Sequence, residues 1–458
     1  MAGKSAKKQN RGNNPTLYGT NVSGKELDYH TIESGKSVAA FKATGGDIAD
    51  GLKPGNGYAY HCFSANPYSV LDFAVQGEGN IEVLIVAGGG TGGSTIAGGG
   101  GAGGVLQGTL PVAEGTYKVK VGKGAWGPTS FPQGCGGEPS DFYAPGASFP
   151  SPATFARAYG GGAGGGYALH NGAPEYTPGT TWQGGGGAGG SGGGCGNQYG
   201  TKGAPGFSGR NSQPGGVGLA YTGNGMPYSP ITPAPYDPAS PAIPVQTNPY
   251  GSDAPVGSPG EDWATGKYNQ GDFPSTYYMG LQGYGNRGGM AYGPALDGGG
   301  AGGGGAGAAG EDRGSAPASN EPSTVRGADG GIGKQFAGFT APLFCDPTTP
   351  NGAAVKTALD PLGGYFAGGG GGSNYSSAQG GDYGGGRGGD GGGGSGSPNG
   401  GPTSTFSPTV FNRPPNNYDA NSNEAVFYSG GGGGGRGYSE GNVGSGAPGI
   451  VVIRYISL

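Results

Sequence analysis

Charge, histidine, cysteine and long apolar runs are all scarce in this 458-residue chain, and each scarcity removes a class of function. Charged residues make up 12% and the net charge is −5, so no basic field attracts nucleic acid or an acidic membrane. The only basic cluster is Lys4, Lys7, Lys8 and Arg11 near the start. No stretch approaches the ~20 apolar residues of a membrane-spanning helix. The first residues lack the apolar core of a secretory signal, so the chain is expected to stay where it is made or to leave by lysis or within an assembly. Cys62, Cys135, Cys195 and Cys345 form no C-x-x-C pair, and His30, His61 and His170 are scattered. Isolated thiols are expected, with no metal site, cofactor or catalytic residue. Amphipathic helical periodicity is almost absent.

Glycine is what the chain has instead: 118 residues, with 38 prolines. That composition without a strict Gly-X-Y period suits disorder, and it excludes collagen, whose axis needs glycine at every third position. The glycines are clumped. Blocks begin at Gly88, Gly98, Gly160, Gly184, Gly298, Gly368, Gly384 and Gly430. Apolar strands bracket them, Ile81-Glu-Val-Leu-Ile-Val-Ala87 before the first and Gly449-Ile-Val-Val-Ile-Arg-Tyr455 after the last. Further strands are expected over 58–63, 68–75 and 115–121, the last alternating Tyr117, Val119 and Val121 with Lys118 and Lys120.

A glycine block has an ordered alternative to disorder. It can take the extended threefold helix of the polyproline II type, whose amides and carbonyls all point outward. Without Cβ atoms, neighbouring copies approach closely enough to bond around the full circumference. Ordering a residue costs ~1–2 kcal/mol of backbone entropy. One N–H···O bond returns ~0.5–1.5 kcal/mol and Cα–H···O contacts ~0.5–1 kcal/mol. The balance is near zero, so the lattice needs a clamp with a hydrophobic core. The expected fold is therefore mostly β: short sheets clamping a layered polyglycine II sandwich, with long irregular loops at 125–158, 220–281, 311–361 and 395–429. The two bracketing strands are expected to pair in one sheet.

Two motifs are decoys. Gly88-Gly-Gly-Thr-Gly-Gly93 has G-x-G-x-x-G spacing, but Ser94-Thr-Ile-Ala and more glycine follow where a phosphate-binding helix would have to start. Arg387 and Arg436 sit in Gly-Arg-Gly contexts and read as charges breaking up glycine blocks on an outer face. The 220–281 insert carries Tyr228, Tyr236, Trp263, Tyr268, Tyr277 and Tyr278. Such rings supply stiff amphipathic contact surface for sugars or proteins, or pin the loop to the glycine slab.

The strings 81–90, 98–105 and 115–122, closed by Gly446-Ala-Pro-Gly-Ile-Val-Val-Ile-Arg-Tyr455, resemble the glycine-rich domain of tailed-phage virion proteins of the marine and cyanophage type. The likeness runs from Tyr58 to Tyr455 and is strongest at its two ends. It implies a non-enzymatic tail fibre or fibre-tip adhesin in the virion. Residues 1–14 would be a basic attachment arm, 15–80 a β-rich anchoring module, and 81–458 the glycine-rich domain. Partners would be other virion proteins, through the N-terminal region, and a host glycan or outer-membrane protein. Nucleic acid is not an expected partner, and a homotrimer is a possible assembly. The aromatic insert would display these rings at the end opposite the terminal strands. A capsid decoration protein, an ice-binding or coat protein, and a disordered Tyr/Gly protein are the alternatives. Ice binding would want a periodic Thr face, a secreted coat protein a signal, and a condensate protein evenly spread motifs.

Overall fold

The computed structural model describes residues 41–64, 69–126, 134–146, 154–166, 168–169, 186, 189–196, 198–199, 220–221, 281–289, 299–313, 327–374, 385–397, 424–437 and 443–457. Two antiparallel sheets face each other. One orders β1 (Lys42–Gly45), β3 (Val70–Gln76), β6 (Gly115–Lys120), β7 (Ser140–Tyr143), β8 (Thr154–Ala158) and β11 (Ala220–Tyr221). The other orders β12 (Leu281–Tyr284), β5 (Val105–Val112), β4 (Gly79–Val86), β15 (Ile450–Ile456) and β2 (Tyr58–Phe63). Short pairings join β9 (Ala168–Leu169) to β10 (Gln198–Tyr199) and β13 (Lys334–Gln335) to β14 (Tyr365–Phe366).

The sequence pattern follows from which faces are covered. In β6, Tyr117 and Val119 enter the core between the sheets while Lys118 turns outward to Asp72. In β4, Ile81, Val83 and Ile85 enter that core, and Leu84 and Val86 join a second cluster on the opposite face. β15 does the same with Val451, Ile453 and Tyr455 against Ile450 and Val452. Burial on both faces explains why these two strands read as continuous apolar runs. They pair antiparallel, Val451 opposite Ile85 and Ile453 opposite Val83, as expected of the bracketing strands.

The fold is mostly β, as expected, but helices replace part of the expected 311–361 loop and help build the second cluster. Ala341–Phe344 and Pro350–Leu359 contribute Phe344, Val355 and Leu359, with Phe336 and Phe339 just upstream. Thr349 caps the longer helix by accepting the Gly352 amide, Pro350 suits the first turn, and Gly363 in the left-handed region follows its end. The loop expected over 125–158 likewise contains β7 and β8. A boundary at residue 80 separates no structural unit either. β2 hydrogen-bonds to β15, and β3 to β6, so residues before 80 are woven into both sheets.

Strands β4, β5, β6, β8, β12, β13, β14 and β15 lead directly into or out of lattice runs, and there the backbone itself becomes the packing surface. In run 87–93, amides 88 and 91 donate to Glu138 and Cys135, amides 89 and 92 to Ala447 and Gly444, and amides 90 and 93 to Gly101 and Gly98, all at 2.9–3.0 Å. Successive amides therefore address three different neighbours, the threefold repeat of a polyproline II-type helix. Its carbonyls at 88, 89 and 90 accept from Gly161, Ala125 and Gly433, which adds three more. Runs 98–104, 299–306 and 367–374 are also bonded to six neighbours each.

These bonds arrange the runs hexagonally in four layers. The first holds 134–138, 159–166, 189–196 and 285–289, and the second 121–126, 87–93, 98–104, 299–306 and 307–313. The third holds 443–449, 430–436, 367–374 and 327–333, and the fourth 424–426, 391–397 and 385–390. Parallel and antiparallel contacts both occur. Run 98–104 lies parallel to 299–306 (99 to 301, 102 to 304) and antiparallel to 159–166 (98 to 165, 101 to 162). At ~3.1 Å per residue the seven residues of 98–104 span about 22 Å.

Lattice glycines have no room for a side chain. A Cβ at Gly99 would lie 2.0 Å from the Gly370 oxygen, and one at Gly370 2.0 Å from the Gly433 oxygen. At Gly136, on an exposed margin, the nearest atom would be 3.3 Å away. Gly370→Ala is expected to lower unfolding stability by about 2–4 kcal/mol, two to three bonds at ~1 kcal/mol each together with displaced backbone. Gly136→Ala should stay within about 0.5 kcal/mol of the parent. Chemical denaturation of both variants measures this, and equal losses would deny a packed lattice at Gly370.

Candidate functional site

Hydrogen-bond register gives the lattice two distinct ends. At the near end, Ala87 bonds to Gly104, Gly104 to Tyr159, Gly103 to Gly430 and Ala306 to Ala367, each beside the sandwich. At the far end, Ala97 bonds to Arg436, Gly98 to Gly165, Ser373 to Ala97 and Gly300 to Ser373. β15 runs away from the lattice to Ile456, and β1 starts at Lys42, opposite Gln76, on that same sandwich side. Both described termini therefore lie opposite the far end.

Several connections start and finish at the far end. Connections 290–298, 314–326, 375–384 and 438–442 leave and return among far-end residues. The described turn there, Ser94–Ile96, connects runs 87–93 and 98–104. Thr95 (φ 65°) and the buried Ile96 (φ 50°) sit in the left-handed region, strained for β-branched residues. The Ser373 hydroxyl accepts the Ala97 amide at 2.6 Å and fixes the end of this turn.

The expected contact residues Tyr228, Tyr236, Trp263, Tyr268, Tyr277 and Tyr278 lie outside the described residues. The strands flanking their insert are placed, however, and they show where its two ends lie. β11 pairs antiparallel with β8, which feeds run 159–166, so the chain passes Tyr221 heading away from the lattice. β12 pairs antiparallel with β5 and brings the chain back towards it. The insert therefore departs and returns on the sandwich side, with the termini. Arg387 is exposed on the outermost layer, as expected, whereas Arg436 sits at the far end of a third-layer run.

Polar chemistry elsewhere is committed to structure. Arg454 donates to Glu82 (2.6 and 3.0 Å) and to the Gly338 carbonyl (2.9 Å). It also lies over the Tyr58 and Phe339 rings, latching the helical segment to β15. The buried Asp141 carboxylate accepts from Arg157 and from the Tyr143 hydroxyl, and burial with that carboxylate raises the Tyr143 pKa. A cavity of about 10 Å³ is lined by Asp47, Cys62, Cys345, Thr349 and Val355. It is near the minimum for one water. Burial pushes Cys62 well above the ordinary thiol range and Cys345 up to about 12, so neither is poised as a nucleophile. No group of three or more His, Cys, Asp or Glu side chains suited to a metal occurs among the described residues.

None of the four cysteines is in a disulfide, and they differ in access. Cys135 is exposed, Cys62 and Cys345 are buried, and Cys195 packs on Ala301 between two lattice runs. Under native conditions iodoacetamide is expected to modify Cys135 alone, with the others reacting only on denaturation. Mass spectrometry of the labelled peptides checks this, and Cys195 reacting as fast as Cys135 would contradict a closed lattice.

No curated protein matches this chain at significance. Strands β3 to β11 and the first lattice runs fall in residues 69–234, which match the family model described as a glycine-rich domain.

Proposed function

We propose that this chain is a non-enzymatic structural protein of a tailed-phage virion, a tail fibre or fibre-tip adhesin that displays connecting segments to a host surface. The observation that carries the display reading is the two-ended architecture. Both described termini lie at the sandwich, and four connections, 290–298, 314–326, 375–384 and 438–442, leave and return at the opposite end of the lattice. Uniform glycine backbone cannot discriminate among ligands, so recognition falls to the connections. The virion assignment rests on the resemblance of the 81–122 and 446–455 strings. On this reading the N-terminal region attaches to other virion proteins and the far end meets a host glycan or outer-membrane protein.

The aromatic insert bearing Tyr228, Tyr236, Trp263, Tyr268, Tyr277 and Tyr278 enters and leaves on the sandwich side, as the described termini do, at the opposite edge of the sheets. That favours contact with neighbouring virion proteins for these rings and host contact for the far-end segments. A capsid or head decoration protein is the second reading, because the same architecture could project segments from a shell. Replacing 375–384 and 438–442 together, and separately 222–280, with short Gly-Ser linkers separates these readings by adsorption to host cells. Adsorption is expected to fall about tenfold or more for the far-end variant and to persist for assembled particles carrying the insert variant. Loss with the insert variant alone would return recognition to its tyrosines. Undiminished adsorption by both folded variants would favour the decoration reading.

A further inference from the structure

His61 is the one histidine among the described residues, and its surroundings are unusual for a surface-reaching strand. It lies on β2 and is fully buried. Tyr455 of β15 stacks on its ring at 5.6 Å, and Phe73 of β3 meets it edge-on at 5.3 Å. Nδ1 lies 2.8 Å from the Gly45 carbonyl oxygen. That oxygen only accepts, so Nδ1 carries the proton and Nε2 presents a bare lone pair. Nε2 is buried with no hydrogen-bond partner, and the Gly51 backbone closes over it so tightly that a Cβ there would lie 2.8 Å away.

The segment over the ring is slight. Gly45, Gly46 and Gly51 have φ of 137°, 82° and 73°, conformations that let the chain fold over the imidazole. The segment is tied down by Asp47 N–H to Cys62 O, by reciprocal bonds between Leu52 and Tyr60, and by Asp47 to Ser64. β1, at the edge of its sheet, pairs with β3, and its Ala43 amide donates to the Tyr455 hydroxyl.

We propose that His61 is a proton-sensitive latch: acidification to about pH 5 opens segment 42–52, which joins residues 1–41 to the sandwich, while the rest of the sandwich stays folded. Protonation would place a charge and a new donor at Nε2, where no acceptor waits. The titratable groups facing the ring are Asp50 of the covering turn, largely exposed and 4.0 Å from Lys42 of β1, and the neutral Tyr455 hydroxyl of β15. Burial holds the His61 pKa below its ordinary 6.5, opposed by the Gly45 bond and Asp50. The folded form thus binds the proton less well than the open form. Stability of the closed segment is complete above pH 6.5 and is lost as pH falls below it.

Amide hydrogen exchange of the full chain at pH 7 and pH 5, corrected for intrinsic rates, tests this. In the parent, protection across 42–52 is expected to fall about tenfold or more at pH 5 while β4 stays protected. In His61→Gln, whose amide can still donate to Gly45, protection should be alike at both pH values. The imidazole resonance of parent His61, followed by NMR, should titrate below pH 6.5 in step with the opening, a readout independent of the variant's folding. Unchanged protection in the parent, equal loss in a folded His61→Gln, or loss of β4 together with 42–52 would each overturn the latch.

Discussion

Every amide and carbonyl inside the glycine lattice must find its partner on another run, because a polyproline II-type helix makes no bonds to itself. This constraint governs the rest of the structure. A run such as 98–104 can be satisfied only by neighbours on all sides, and they fit only where no Cβ intervenes. Glycine is thus kept for the absence of a side chain as much as for its freedom. Where side chains occur inside, as at Ala102, Cys195, Ala301 and Ser373, they are small.

Such a lattice gains little per residue, so its order has to be inherited from the sandwich. The inheritance is covalent and in register. β4 runs on into 87–93, run 98–104 leads into β5, β8 into 159–166, β12 into 285–289, β14 into 367–374, and 443–449 into β15. Each strand fixes the start and height of a run, and the apolar faces of β4 and β15 are buried on both sides where those runs begin. Hydrophobic burial therefore supplies the free energy, and the lattice converts it into length. The result is a body whose described termini and 222–280 insert lie at the sandwich pole, with connections such as 290–298 and 375–384 at the other.

Much of this was legible in the sequence because two periods dominate it. Alternation in 115–121 and the doubly apolar runs 81–87 and 449–455 mark strands, and the clumped glycines mark lattice runs. Runs 134–138, 285–289, 327–333 and 443–449 escaped because they mix Cys, Asn, Arg, Asp, Ile or Pro with glycine. They lie at the lattice margin, where only part of the circumference faces a neighbour and a side chain fits. The Pro350–Leu359 helix escaped because it buries little beyond Val355 and Leu359, and its Pro-Asn-Gly start reads as a turn. The sandwich-side position of the two ends of the insert escaped because sequence order does not reveal strand direction. Pairing of Ala220–Tyr221 with β8 does. The tyrosines proposed for contact lie beyond the described residues, so nothing in the fold singles them out.

The central claim is that run 98–104 is held by bonds to six neighbours rather than lying as loop between two strands. Hydrogen exchange of its glycine amides, read by NMR after selective glycine labelling, tests this most directly. The account predicts protection factors for Gly99 to Gly103 within about tenfold of those of β4, since lattice and sandwich would open together. Exchange of these amides at unstructured-peptide rates, with β4 still protected, would contradict it.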